Sequence, residues 1–157
     1  MINIIVACDR NNLIGKNGKL PWNINEDWEY FLEKTKDGAL IMGRHCYLDF
    51  EQQAKTRTVI ALSRNPEYNF PNAIKAGCLK EALEKAHLMG KTAWICGGRE
   101  IYAEALPLAD RIYLTEIDKE YVGDVYLPKW ESYFPIQLSS KTIHTNSANL
   151  TFRVLSK

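Results

Sequence analysis

The sequence predicts an α/β fold: a single domain with a central, mostly parallel twisted sheet, flanking helices and an antiparallel C-terminal edge. Three observations carry this expectation. Short runs of β-favouring residues alternate with helix-patterned segments from Ile2 to Asp118. Beyond that stretch the helices stop, and VYLP (125–128), FPIQLS (134–139) and LTFRVLS (150–156) follow as strands. The chain is 157 residues long, without a repeat, low-complexity tract or linker, which suits one core over residues 1–157.

Taken in order, Ile2–Cys8 is an apolar, β-favouring run, as expected of a strand buried on both faces. DRNNLIGKNGKLPW (9–22) is rich in Asn, Gly and Pro and predicts a long loop, a feature that in a small domain is usually functional or disordered. Asn23 followed three residues later by Glu26 is a capping-box pattern, opening a helix that runs to about Thr35. ALIMG (39–43) is a short buried strand, and a helical turn starts at Arg44. TVIALS (58–63) is a strand, with a brief one near Ile74. LKEALEKAHLMG (79–90) is an amphipathic helix with Leu79, Ala82, Leu83, Ala86 and Leu88 as its apolar positions and Gly90 as its stop. TAWICGG (92–98) is a strand ending in a glycine pair, REIYAEALPLA (99–109) a helix and RIYLTEID (111–118) a strand.

Composition narrows the function classes. Hydrophobic residues make up 46% and charged residues 25%, with a net charge of +1. That balance argues against a nucleic-acid or membrane surface, so an anionic ligand would have to be held by local charges. No apolar run reaches membrane-spanning length. MINIIVACDR lacks a basic lead and reads as a first strand, not a signal peptide, which makes the cytoplasm the expected compartment. Cys8, Cys46, Cys78 and Cys96 form no C-x-x-C pair; neither a metal site nor a disulfide framework is expected. Cys8, Cys78 and Cys96 lie in or beside apolar stretches and are expected as buried free thiols.

One carboxylate stands out. On the first helix Ile24, Trp28, Phe31 and Thr35 form the inward stripe; Asp27 shares that side, whereas Glu26, Glu29 and Glu33 form an opposite, solvated stripe. An Asp drawn into an apolar cleft has its pKa raised and needs partners. It is either a structural Asp bonded to backbone or Arg, or a carboxylate gripping a planar, donor-rich heterocycle through a bidentate fork. Strand ends supply a second theme. Arg44 and His45 follow one strand, Ser63 and Arg64 another, and Gly97 and Gly98 a third. Cations and close-approach glycines at such ends suit phosphates, although each also has a plain reading as surface charge or tight turn, and the G-x-G-x-x-G spacing is absent.

The whole chain resembles the dihydrofolate reductase family, bacterial type, through LIGKNGKLPWNINED (13–27), IMGRHCY (41–47), ALSR (61–64), ICGGREIYAEAL (95–106), IYLTEID (112–118) and GDVYLP (123–128). The resemblance implies that fold and NADPH-dependent reduction of 7,8-dihydrofolate to 5,6,7,8-tetrahydrofolate, serving one-carbon metabolism and thymidylate synthesis, by a cytoplasmic monomer that also takes antifolate inhibitors. It implies that Asp27 pairs with the pterin, that Thr115 supports Asp27, that Trp22 helps hold an ordered water, and that Leu20 lies in a mobile loop closing over the nicotinamide. Ile5, Ala7, Trp28, Phe31, Phe50 and Cys96 match the substrate wall, and Arg57 matches the arginine for the α-carboxylate of the glutamate tail. Arg44, Ser63 and Arg64 match positions around the 2′-phosphate. Gly97 and Gly98 match a glycine pair commonly joined by a cis peptide beside the diphosphate, and Tyr102 an aromatic near the nicotinamide. Ala7, Ile14, Gly43, His45, Cys46, Leu62, Cys96, Arg99, Glu100 and Ile101 complete the implied cofactor site.

The chain also departs from the family. EQQAKTR (51–57) lacks the usual proline, Ala54 and Trp28 exchange volume between walls, Cys46 replaces a common threonine, and Cys96 replaces a branched aliphatic residue. Two rivals are a riboflavin-pathway pyrimidine reductase of the same fold and a non-catalytic nucleotide-binding module. Asp27 with Trp22 and Arg57 argue against the first, since its substrate has a ribityl phosphate and no glutamate tail. Asp27, Thr115 and the glycine pair argue against the second.

Overall fold

The computed structural model describes residues 1–157 and is organised around an eight-stranded sheet. In chain order the strands are β1 (Ile2–Cys8), β2 (Leu13–Gly15), β3 (Ala39–Gly43), β4 (Thr58–Leu62), β5 (Ile74–Ala76), β6 (Ala93–Ile95), β7 (Arg111–Ile117), β8 (Val125–Tyr126), β9 (Ile136–His144) and β10 (Asn149–Ser156). The helices are α1 (Asn25–Thr35), α2 (Arg44–Ala54), α3 (Leu79–Leu88) and α4 (Arg99–Ala105). The large sheet has the order β5-β4-β3-β6-β1-β7-β10-β9. Pairing is parallel from β5 to β7 and antiparallel from β7 through β10 to β9. The mostly parallel sheet with an antiparallel C-terminal edge is therefore as the sequence predicted. No helix is long and apolar enough to cross a membrane.

The alternation of side chains along each strand divides the core into two layers. Ala39 and Ile41 of β3, Ile60 of β4 and Ile4, Val6 and Cys8 of β1 point into one cluster, which receives Leu79, Ala82 and Ala86 of α3 and Ala105 of α4. The small alanines let those helices sit close to the sheet. Leu40 and Met42 of β3 and Val59 and Ala61 of β4 point the opposite way, against Tyr47, Phe50 and Ala54 of α2. Trp28, Phe31 and Leu32 of α1 pack on this second cluster but remain half-buried. Ile5 and Ala7, offset by one from Ile4 and Val6, face the same side as α1 and α2. That layer is incompletely filled, and the main cleft opens there.

Three local expectations are corrected. First, α1 starts at Asn25 with Ile24 in the cap position and no capping side chain, so Asn23 does not cap it. Ile24 is buried and fixes the entry, while the Asn25 side-chain amide donates to Glu29 Oε1 at 3.0 Å. Glu26 and Asp27 still lie in the first turn, where negative charge suits the helix dipole. Second, residues 9–22 are not loop throughout: β2 pairs antiparallel with β8. Gly123 permits this approach, since a Cβ there would lie 2.5 Å from the Gly15 carbonyl oxygen. Third, Cys78 is exposed, because it sits in the cap position before α3, on the polar side of the helix entry.

The segment between β1 and α1 is held by a residue that periodicity does not mark. Asp9 is buried and accepts from the backbone N–H of Asn11 and Leu13 at 2.8 and 2.9 Å, and from that of Tyr121 at 2.9 Å. Past β2, Lys16 and Lys19 exchange backbone hydrogen bonds of 2.8 and 3.0 Å around Asn17 and Gly18. Those two residues have φ of +51° and +80°, the Asn-Gly preference of a tight hairpin turn. Asp124 accepts from the Asn17 N–H at 3.2 Å, tying the turn to the segment before β8.

Candidate functional site

The cleft follows the carboxyl ends of the parallel strands, where open α/β sheets bind ligands. Its inner compartment lies between α1 and α2. β1 contributes Ile5 and Ala7 to its floor, α1 contributes Asp27, Trp28, Tyr30 and Phe31, and α2 contributes Cys46, Asp49 and Phe50. Cys96 follows the end of β6, Tyr102 comes from α4, Thr115 from β7 and Leu20 from the loop. The aromatic wall is mutually packed. Trp28 stacks on Phe31 with centroids 5.5 Å apart, and Phe50 meets both rings edge-on at 5.9 and 5.7 Å. Such a slot accepts a flat ring.

Asp27 and Asp49 are the only charged groups lining this compartment. Burial pushes the Asp27 carboxyl up from 3.8 to about 6, and the Thr115 hydroxyl pulls it part of the way back. Thr115 is itself buried and lies opposite Ala7 in the β1–β7 register, so the sheet fixes where its hydroxyl points. Arg57 lies outside the lining. Its guanidinium Nη1 donates to Thr35 Oγ1 at 3.0 Å, and the Thr35 hydroxyl donates to the Phe31 carbonyl at 2.8 Å. Thr35 lies two helical turns after Asp27, so their backbone positions are about 12 Å apart along the axis of α1. Trp22 also lies outside the lining. It is buried with Ile24, Ile117 and Leu150, tilted against Tyr121 at 5.3 Å, and its indole Nε1 has no protein acceptor.

Two further compartments continue the cleft. The nearer is lined by Ile14, Gly18, Lys19, His45, Gly97, Gly98 and Arg99, and it shares Ala7, Leu20, Cys46, Asp49, Cys96 and Tyr102 with the inner one. The Tyr102 hydroxyl donates to the Ile5 carbonyl at 2.9 Å, locking α4 to the cleft floor. The Gly97–Gly98 bond is cis, and Gly97 has φ +119°; a Cβ there would come within 3.1 Å of Cys46 Sγ and 3.3 Å of the Tyr102 hydroxyl. A close backbone approach at this point therefore requires glycine. Burial raises the Cys46 thiol to about 11 and the Cys96 thiol well above its usual range, so both are neutral thiols near pH 7. The outer compartment gathers Gly43, Arg44, Leu62, Ser63, Arg64, Glu100 and Ile101. Arg44 lies over the Tyr68 ring at 4.4 Å, and the Ser63 hydroxyl donates to the Asn65 carbonyl at 3.2 Å while accepting from the Asn65 N–H at 3.1 Å.

The structure thus brings the residues named for a cofactor into two adjoining compartments and those named for a substrate wall into a third. Trp22 and Arg57 are the exceptions, standing beside the cleft. Lining residues that the sequence did not single out include Val6, Tyr30, Met42 and Asp49 inside, and Asn65, Tyr68 and Glu104 further out. Helical spacing could have found two of them, since Tyr30 follows Asp27 by three and Asp49 follows Cys46 by three.

The dihydrofolate reductase family model matches residues 1–157. The chain belongs to the dihydrofolate reductase family. Among curated members, dihydrofolate reductase type 3 of Salmonella typhimurium is 38% identical over 133 residues, covering 84% of this chain and 81% of that protein. The dihydrofolate reductase of Staphylococcus haemolyticus is 34% identical over 127 residues, covering 81% of this chain and 76% of that one. A solved structure of dihydrofolate reductase from Enterococcus faecalis, complexed with NADP(H) and RAB-propyl, superposes with a TM-score of 0.87 at 27% identity, covering 99% of this chain and 95% of that chain. Family membership accounts for a flat apolar slot joined end-on to a trough of cations and glycine.

Proposed function

We propose that this protein reduces 7,8-dihydrofolate to 5,6,7,8-tetrahydrofolate with NADPH, as a cytoplasmic monomer. The observation that carries the reading is Asp27: one buried carboxylate in an apolar slot whose wall is shared with a cation-lined trough. The donor set fits the cofactor. Arg44 and Arg64 in the outer compartment offer charge for a 2′-phosphate, and Lys19, His45 and Arg99 with the open face of Gly98 suit a diphosphate. When bound, NADPH supplies a hydride to C6 of the pterin while a proton reaches N5.

The chain's own residues bind, orient and dry the site. Asp27 accepts two N–H groups from one edge of the pterin, and Thr115 keeps the carboxylate aligned. A carboxyl that titrates near 6 can hold or release a proton close to neutrality, which suits general acid–base work. The buried Trp22 Nε1 has no protein acceptor and is left to donate to a water, the part the family resemblance gives it. Arg57, bonded to Thr35 at the far end of α1, takes the tail carboxylate. Leu20, more than half exposed, lines both compartments and excludes water when the loop closes. All these groups come from one chain, so a monomer is sufficient. The same slot suits flat, cationic antifolates that fork onto Asp27.

The test is to mix protein, NADPH and dihydrofolate and follow reduced-nicotinamide absorbance. Dihydrofolate-dependent loss is expected. Loss only with the riboflavin-pathway pyrimidine, or nucleotide binding without loss, would overturn the reading.

A further inference from the structure

Asp49 is a carboxylate without an assignment in the reaction above. It lies on α2, three residues after Cys46 and four after His45, and therefore on the helix face turned to the cleft. Of the side chains that line both the inner compartment and its neighbour, it is the only charged one. Asp27 lines the inner compartment alone, and Lys19, His45 and Arg99 line the neighbour alone. Asp49 forms no ion pair within the protein, so its charge is uncancelled by a fixed partner. That charge is felt at the junction, where it adds to burial in raising the Cys46 thiol.

Hydride donation moves two electrons and one hydrogen out of the dihydronicotinamide ring and leaves that ring with a formal positive charge. We propose that Asp49 is a specificity-determining residue that favours the oxidised, cationic nicotinamide over the reduced, neutral one at the compartment junction. This inference rests on the reading of the site as one for NADPH, in which hydride transfer brings nicotinamide and pterin together where the two compartments share their lining. An interaction stronger with the charge that develops than with the neutral reactant favours the forward step and holds the oxidised cofactor longer. Because Asp49 faces water, its effect is small and screened by salt, roughly two- to fivefold in affinity.

The experiment measures dissociation constants of NADP⁺ and NADPH in binary complexes, by quenching of protein fluorescence, for the wild type, Asp49→Asn and Asp49→Glu. Asp49→Asn is expected to weaken NADP⁺ roughly two- to fivefold and to leave NADPH unchanged. Asp49→Glu is expected to keep the wild-type ratio, and high salt to shrink the gap between wild type and Asp49→Asn. An equal loss for both nucleotides, an unchanged ratio or a gap insensitive to salt overturns the role of Asp49. Failure of the underlying reading looks different: a wild-type protein that binds neither nucleotide. No turnover is needed, so the result is independent of the rate of the reaction.

Discussion

Asp27→Asn should make the ligand-free protein more stable while making it a poor catalyst. The wild-type carboxyl titrates near 3.8 in the unfolded chain and near 6 in the fold, chiefly because burial penalises its charge. Between those values the native state keeps the proton and the unfolded chain loses it, so this group's contribution falls as pH rises from about 4 to 6 and is flat above. Two such pKa values correspond to a cost of about 3 kcal/mol at pH 7 and about 1.6 kcal/mol at pH 5. Asp27 is only partly buried on its cleft side, so these are upper values. Asparagine keeps the shape but carries no charge. The gap in unfolding free energy between variant and wild type should therefore widen by about 1.3 kcal/mol from pH 5 to pH 7. Urea unfolding of both proteins at several pH values reads this directly, because other groups cancel in the difference. At pH 7 the variant's melting temperature should rise by about 4–10 °C. Its turnover should fall by roughly 10²–10⁴. A gap that does not change with pH, or a variant less stable than wild type at pH 8, would refute the assignment of a buried, charge-penalised carboxylate.

Three further substitutions probe other parts of the cleft. Arg44→Ala should weaken NADPH roughly tenfold and leave NADH nearly unchanged, and equal losses measured by equilibrium binding would contradict the 2′-phosphate assignment. Arg57→Ala should raise the dihydrofolate KM roughly 10–100-fold with no effect on pteridines that lack the glutamate tail; a matching loss with those pteridines would place the arginine elsewhere. Gly97→Ala forces a side chain into φ +119° and within 3.1 Å of Cys46 Sγ, which should cost about 1–3 kcal/mol. The loss should appear as a lower urea midpoint, with part of it recovered by adding Cys46→Ala.

How much of this was legible in the sequence depended on whether a signal was local. The strands β1, β3, β4, β6 and β7 follow from apolar runs buried on both faces of the sheet, and helix α3 follows from the periodicity of its one buried face. The capping-box reading at Asn23 failed because burial of Ile24 sets the entry to α1 and outweighs a polar cap worth about 1 kcal/mol. β2 and β8 were not visible as partners: three and two residues carry too little pattern, and their pairing joins segments more than a hundred positions apart. Cys78 was misplaced because apolar neighbours do not show which side of a helix entry faces water. In the cleft, strand-end chemistry marked Arg44, Ser63, Arg64 and the glycine pair, while Asp49 looked like any charged residue on an exposed helix face. Only the fold puts it where two compartments meet.

The two layers of the core explain why the protein can carry a destabilising carboxylate at all. The α3–α4 layer contains most of the fully buried aliphatic side chains, among them Ile4, Ile41, Ile60, Ile95, Ile112 and Leu114. Each such side chain is worth about 1.5–3 kcal/mol when buried, so the cost at Asp27 is comparable to one or two of them. The α1–α2 layer is different: Trp28, Phe31 and Cys96 are only half-buried and Leu20 is exposed, leaving apolar surface that a ligand can cover. Stability and the inner slot are thus assigned to opposite faces of one sheet, whereas the outer compartment also draws on α4 through Glu100, Ile101 and Glu104. It follows that truncating Ile60 to alanine should cost about 2–5 kcal/mol in stability and leave dihydrofolate affinity unaltered in the folded fraction, whereas truncating Phe31 should cost far less stability and much more dihydrofolate affinity. Denaturant midpoints and binding titrations on the two variants would separate the layers, and a loss of affinity in Ile60→Ala matching that in Phe31→Ala would show that they are not independent.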